Sequence, residues 1–304
     1  RDIVSSVNVP PEDNSAMDGY ALRVADLAAG AGGVLPVSQR IVAGRPGQAL
    51  QPGTAARIFT GAQIPAGADA VVMQEHCEAI AGDGLGSVRV DETPAPGTAI
   101  RRQGEDVRRG HVVLRAGHRL DAAAIGLAAT VGMATLEVAA RPRVALFSTG
   151  DELVMPGEPL PPGAIYNSNR FMLGALLRGQ GCVVTDLGNV PDRLDATRAM
   201  LREAAAGHDL ILSSGGVSVG EEDHLKPALA AEGRLDLWAI AIKPGKPLAF
   251  GAVRHVDAGG ASLRGPEGPL ETWFIGLPGN PVSSHVTFTL FVRPVLARLQ
   301  GAEA

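Results

Sequence analysis

The chain has 304 residues, 45% of them apolar but only 4% aromatic, so Val, Leu, Ile and Ala must pack a sizeable core. A formal charge of −5 excludes nucleic-acid binding through a basic surface, and two cysteines exclude a disulfide framework and point to a reducing compartment. The 39 glycines and 22 prolines predict more turns than a helical bundle needs, and the length predicts two or three domains.

No secretory signal is visible, and the uncharged stretch at residues 122–136 is too short and small-sided to span a bilayer. The expectation is a cytoplasmic protein with neither membrane nor nucleic-acid partners. The chain opens at Arg1 rather than Met, which reads as a fragment.

Residues 1 to about 110 read as β-rich. Short apolar runs at residues 34–37, 55–58, 70–73 and 87–90 are separated by Gly/Pro turns. Asp121 is placed to cap a helix over residues 122–130, Gly132 to close it, and residues 135–138 read as a strand. From Arg141 the rhythm changes to strand, helix, strand, helix. Strands are expected at 144–147, 182–184, 210–212, 237–242, 248–250 and 273–275. Helices are expected at 170–178, with Asn167, Ser168 or Asn169 as cap, at 193–206, at 224–231 and at 282–299. Such alternation predicts a mostly parallel, doubly wound sheet whose ligands sit beyond the carboxyl ends of the strands.

The most informative run is Ser213-Ser214-Gly215-Gly216-Val217-Ser218-Val219-Gly220-Glu221-Glu222-Asp223. A strand that breaks into glycines and hydroxyls before a helix turns backbone N–H groups toward an anion, and the carboxylates behind it suit a bridging divalent cation. Downstream, Lys243-Pro244-Gly245-Lys246-Pro247 places two lysines on one stiff loop. Together these predict an oxyanion ligand, a metal and charge neutralisation.

Ser148-Thr149-Gly150-Asp151-Glu152 repeats the hydroxyl–glycine–acid pattern at another strand end, and Gly276-Leu277-Pro278-Gly279-Asn280 falls at a third strand end, so three loops are expected to converge on one edge. Asp192 precedes a helix, where capping is the ordinary role. Ser283 can donate to an oxyanion or lie in a first helical turn. In the β-rich part, Asp18 reads either as part of an Asx turn or as a buried acceptor facing a ligand, and Thr60 sits in a long turn able to donate its hydroxyl. Glu105-Asp106 ends that region. The histidines show no HExxH spacing, and there is no Walker lysine motif, no GxGxxG opening a helix and no Gly-x-Ser-x-Gly elbow, so neither a zinc site nor covalent catalysis is expected.

Taken together, Asn14-Ser15-Ala16-Met17-Asp18-Gly19-Tyr20-Ala21, Thr60-Gly61-Ala62, Arg102-Gln103-Gly104-Glu105-Asp106, Ser148-Thr149-Gly150-Asp151-Glu152-Leu153, Asn167-Ser168-Asn169, residues 213–220, Lys243-Pro244-Gly245-Lys246-Pro247 and Gly276-Leu277-Pro278-Gly279-Asn280-Pro281-Val282-Ser283 resemble the MoeA family, in family order along nearly the whole chain. These are molybdopterin molybdotransferases related to the gephyrin E domain. The resemblance implies a MogA-like doubly wound α/β domain (residues 141–304), a β-rich domain (9–109) and a small linking α/β domain (1–8 with 110–140), with the family's C-terminal β domain absent.

It also implies insertion of molybdate into adenylylated molybdopterin with release of AMP, using Mg²⁺ or a similar divalent cation, in a homodimer whose active site is shared between chains. The family's alternatives are a non-catalytic binding scaffold and a MogA-like adenylyltransferase. Carried over by motif, the catalytic positions are Asp18, Thr60, Asp106, Glu152, Asp192, Asp223, Lys243 and Lys246, with Glu152, Asp192 and Asp223 on the metal. Ser214, Gly215, Gly216, Val217, Ser218, Gly220, Pro244, Gly245, Pro278, Asn280, Pro281 and Ser283 would bind substrate. One departure stands out: residues 238–241 offer no basic residue before the lysine loop, where the family often has one.

Overall fold

A computed structural model describes residues 1–28, 32–217, 224–243, 246–257, 262–266 and 268–302. The chain divides into two compact units, Arg1–Glu137 and Val138–Ala304.

The first unit is built on a six-stranded sheet. Its strands are β1 (Gly19–Leu22), β2 (Gly33–Ile41), β3 (Ala55–Ile58), β4 (Ala70–Met73), β5 (Cys77–Ile80) and β6 (Ser87–Val90). The order is β4-β1-β3-β2-β6-β5, with only β2 and β3 parallel. Residues alternate across the sheet, so Tyr20 and Leu22 pack into one cluster with Leu35 and Val88, while Ala21 joins Ile41, Ile58 and Val71 in another. Helix α1 (Ala122–Thr130) starts where the Asp121 carboxylate accepts the Ala124 N–H at 2.8 Å, and Gly132 follows it at φ +85°. Its Ala124 and Ala128 pack with Leu114, Ile3 and Leu136. The strand expected at 135–138 does not form. Leu136 packs against α1 while Val138 is exposed, so this stretch lacks a strand partner to satisfy its backbone.

The second unit is a three-layer α/β structure. Its elements are β7 (Arg143–Thr149), α2 (Ser168–Gly179), β8 (Val183–Val190), α3 (Leu194–Ala205), β9 (Leu210–Ser214), α4 (Leu225–Glu232), β10 (Gly233–Trp238), β11 (Ala249–Arg254), β12 (Glu271–Leu277), α5 (Pro281–Thr287) and α6 (Arg293–Leu299). Phe288–Val292 links the last two as a π-helical stretch, so the single helix expected at 282–299 carries one widened turn. Sheet order is β8-β7-β9-β12-β11-β10; β8, β7, β9 and β12 are mutually parallel, and β11 and β10 form an antiparallel edge. The strand expected at 237–242 instead runs from Gly233 to Trp238, where its partner β11 begins at Ala249.

The sheet is buried on both faces, which explains the unbroken apolar runs of β7 and β9. Ala145 and Phe147 face α3 and α4 through Leu201, Ala204, Leu225 and Leu229. Val144 and Leu146 face the opposite layer, through Leu173 and Leu177 of α2 and Phe288, Val292 and Leu296. Among the described residues no helix is long and apolar enough to cross a membrane.

Leu146 is fully buried between β7 and the α2 layer. Leu146→Ala is expected to lower unfolding free energy by about 2–5 kcal/mol in urea titrations followed by circular dichroism. A loss below about 1 kcal/mol would contradict this packing.

Candidate functional site

Parallel pairing sets the site. Ser148 lies opposite Ser214, and Ser214 lies opposite Leu277, so β7, β9 and β12 end at one level. The loops that follow therefore leave from the same edge and enclose a cavity of about 670 Å³. Of the expected site residues, Glu152, Asp192, Ser214, Gly215, Gly216 and Val217 line it, together with Pro278, Asn280, Pro281 and Ser283.

Short-range chemistry shapes each loop. Gly215 and Gly216 have φ of +92° and +67°, and a Cβ on Gly215 would lie 2.5 Å from the Thr149 carbonyl oxygen. Only glycine lets this turn cross the end of β7 so closely. The Gly215 N–H donates to the Leu277 carbonyl at 3.0 Å, joining the second loop to the third. Asn280 caps α5, its Oδ1 accepting the Ser283 N–H at 3.0 Å, and the Ser284 hydroxyl donates to the Pro278 carbonyl. Asn167 caps α2 by accepting the Arg170 N–H at 3.1 Å. From the α2 first turn, Asn169 Nδ2 donates both to Ser214 Oγ at 2.7 Å and to the Gly279 carbonyl at 2.8 Å.

The acidic side of the cavity is electrostatically crowded. Burial pushes the Asp192 carboxyl above its ordinary range, and the charges of Asp151 and Glu152 push in the same direction, against the Asp151 N–H that donates to it at 3.2 Å. Glu152 is exposed but folds back on its own loop, where a Cβ on Gly150 would meet its Oε2 at 2.5 Å. A cation placed beside these acids would relieve their mutual repulsion. Among the described residues no three His, Cys, Asp or Glu side chains gather as a metal site. Asp223, the third expected ligand, lies outside the described residues, as do Ser218, Gly220, Pro244 and Gly245.

Lys243 and Lys246 are exposed and do not line the cavity, although Pro247, next in the chain, does. The loop base is tied down by the Ile240 N–H donating to the Lys246 carbonyl at 2.8 Å.

In the first unit, Asp18 and Thr60 come together. One Asp18 oxygen accepts both the Thr60 N–H and its hydroxyl at 2.7 Å, which holds the carboxyl below its ordinary range. The expectation of a buried Asp18 is corrected: it is half-buried, because it lies in the turn before β1 and its acceptor is already engaged by Thr60. Nearby, the Arg57 guanidinium stacks on Tyr20 and Phe59 at 5.0 and 4.8 Å from the ring centroids. Asp106 is exposed and ion-paired with Arg101 at 2.5 Å.

Cavity residues outside the predicted site set include Thr149, Asn167 and Asn169. All are more than nine-tenths buried, and Thr149 Oγ1, Asn167 Nδ2 and Asn169 Oδ1 have no hydrogen-bond partner. Buried orphan polar atoms are costly, and their concentration at one cavity marks a functional surface. The advance signals were the hydroxyl–glycine–acid run containing Thr149 and the Asn167-Ser168-Asn169 motif, whose asparagines helix capping alone could account for.

Comparisons with known proteins agree with the fold. Residues 1–132 match the family model described as the MoeA N-terminal region (domain I and II), and residues 145–298 match one described as a probable molybdopterin binding domain. The chain is 44% identical over 302 residues to the molybdopterin molybdenumtransferase of Haemophilus influenzae, covering 99% of this chain and 70% of that protein. It is 35% identical over 303 residues to the enzyme of the same name from Bacillus subtilis, covering 97% and 66%. The crystal structure of the molybdopterin biosynthesis protein MoeA from Pyrococcus horikoshii OT3 superposes with a TM-score of 0.78 at 30% identity, over 99% of this chain and 71% of that one.

Two outcomes test the geometry. Gly215→Ala is expected to cost about 2–4 kcal/mol in urea unfolding, through backbone strain and contact with Thr149. For Asp192 the sign follows from its raised carboxyl: the folded state holds the proton more tightly than the unfolded chain, so stability falls as pH rises from the ordinary Asp range through the raised value. Asp192→Asn should therefore raise the melting temperature at pH 7, with the gain shrinking toward about pH 3. An unchanged or lower melting temperature at pH 7 would refute the half-buried, crowded carboxylate.

Proposed function

The chain belongs to the MoeA family of molybdopterin molybdenumtransferases, and on that footing we propose that it inserts molybdate into adenylylated molybdopterin and releases AMP, as a step of molybdenum cofactor biosynthesis. The observation that carries the proposal is the cavity where three parallel strands end, with acids on one side and hydroxyls and glycine turns on the other. Molybdate and a phosphoanhydride are both anions. Bringing them together requires their repulsion to be cancelled before any bond changes, and fixed donors and cations at the reaction centre do this.

Each residue type has a role in that task. Ser214 and Ser283 offer hydroxyls to substrate oxygens, and the turn of Gly215, Gly216 and Val217 lets backbone approach them closely. Lys243 and Lys246, on the loop through Pro244, Gly245 and Pro247, supply positive charge, with Ser218 and Gly220 extending the anion loop. Pro278, Asn280 and Pro281 set the third wall. Asp18, Thr60 and Asp106 lie in the first unit and remain proposed catalytic positions by family motif; there the two donations from Thr60 hold the Asp18 carboxyl below its ordinary range.

The donor set on the acidic side is all oxygen, which suits Mg²⁺. Glu152 and Asp192 would hold the ion with Asp223, and when bound it would neutralise charge on the transferring oxyanions. The reading also includes a cytoplasmic homodimer with its active site shared between chains.

The test is molybdate-dependent AMP release from adenylylated molybdopterin by the purified chain. Lys243→Ala should reduce the rate roughly 10²–10³-fold, the usual loss on removing one pre-organised electrostatic group. AMP release that ignores molybdate, or a Lys243→Ala variant at full rate, would sink the assignment.

A further inference from the structure

Asn169 does more than join two loops. The residue is 6% exposed at the first turn of α2, its carboxamide within reach of residues 45 and 110 positions away in sequence. The orientation of that amide is decided by chemistry. The Gly279 carbonyl can only accept, so the group 2.8 Å from it must be the NH₂. The same nitrogen lies 2.7 Å from Ser214 Oγ and must donate there too. Ser214 Oγ is therefore an acceptor in this bond, and its own proton has to go elsewhere. Among the described residues no acceptor receives it, and Ser214 lines the cavity.

We propose that Asn169 is a positioning residue. By occupying a lone pair of Ser214 it holds the serine as a hydrogen-bond donor toward the cavity, poised for a phosphate-type oxyanion of the substrate. The inference rests on the substrate reading above and adds the residue that sets the polarity of its binding wall. A hydroxyl with no fixed partner can turn its proton into the protein; one already accepting from Asn169 cannot aim its proton at the amide, which leaves that proton for an acceptor in the cavity. Asn169 Oδ1 is left without a donor, a cost consistent with an amide held for what its nitrogen does rather than for its own satisfaction.

A double-mutant cycle on the full chain tests this, with AMP as the probe, calorimetric Kd as the readout and thermal unfolding as a control. Ser214→Ala is expected to weaken AMP binding about tenfold. Asn169→Asp replaces the donor with an acceptor that draws the Ser214 proton away from the cavity, and should weaken binding by at least as much. Asn169→Ala, which introduces no buried charge, should weaken it less. In the Ser214→Ala background both Asn169 substitutions should have little further effect, because the group they act through is gone. Asn169→Asp is liable to destabilise the fold, and the Asn169→Ala arm then decides the cycle. Additive losses would overturn the inference and reduce Asn169 to a structural tie. Unchanged affinity in Ser214→Ala, or absence of AMP binding by the wild-type chain, would overturn it as well, while molybdate-dependent turnover remains a separate test of the activity itself.

Discussion

The level ending of three parallel strands is the constraint on which the rest of the second unit depends. The parallel pairing register puts Ser148, Ser214 and Leu277 side by side at one level. Had β9 paired one residue out of step, its buried alternation would have turned Leu210 and Leu212 to the wrong face. The apolar layers on both sides of the sheet therefore hold the register, and the register delivers the loops. The polar cavity is a by-product of hydrophobic packing some way beneath it.

What the loops then do is trade stability for polarity. Thr149, Asn167 and Asn169 each keep a buried polar atom without a partner, and Asp192 keeps a carboxylate where burial and two other acids oppose its ionisation. Glycines at positive φ allow the chain to cross Thr149 at a distance no side chain would tolerate. Structures hold such features where the surrounding scaffold over-determines them, and the fully buried strands below supply that rigidity. In the first unit the Asp18 carboxylate is satisfied instead: Thr60 offers it two donors, which hold it below its ordinary range.

Membership of the MoeA family, the fold class and the order of the main elements were all legible in the residues. Local signals carried most of it. Asp121 and Asn167 cap the helices expected of them, and the apolar runs at 144–147 and 210–212 are the fully buried parallel strands their composition implies. Two of the misreadings concern strands. Residues 135–138 have strand-forming composition but no partner, and the strand expected at 237–242 sits earlier because pairing with β11 decides where it lies. Strand formation is a property of two segments, so one segment read alone is ambiguous.

The sequence by itself therefore determined which segments are apolar, where helices begin, and which loops carry hydroxyls, glycines, acids and lysines, because those depend on neighbours a few positions away. Only the tertiary structure decided that Asn169 meets Ser214 and Gly279, that Glu152 and Asp192 share a cavity with them, and that Lys243 and Lys246 stand at the surface instead of on its wall. Those relations join residues tens of positions apart. They arise from the register of a sheet, and that register is settled by how whole faces pack.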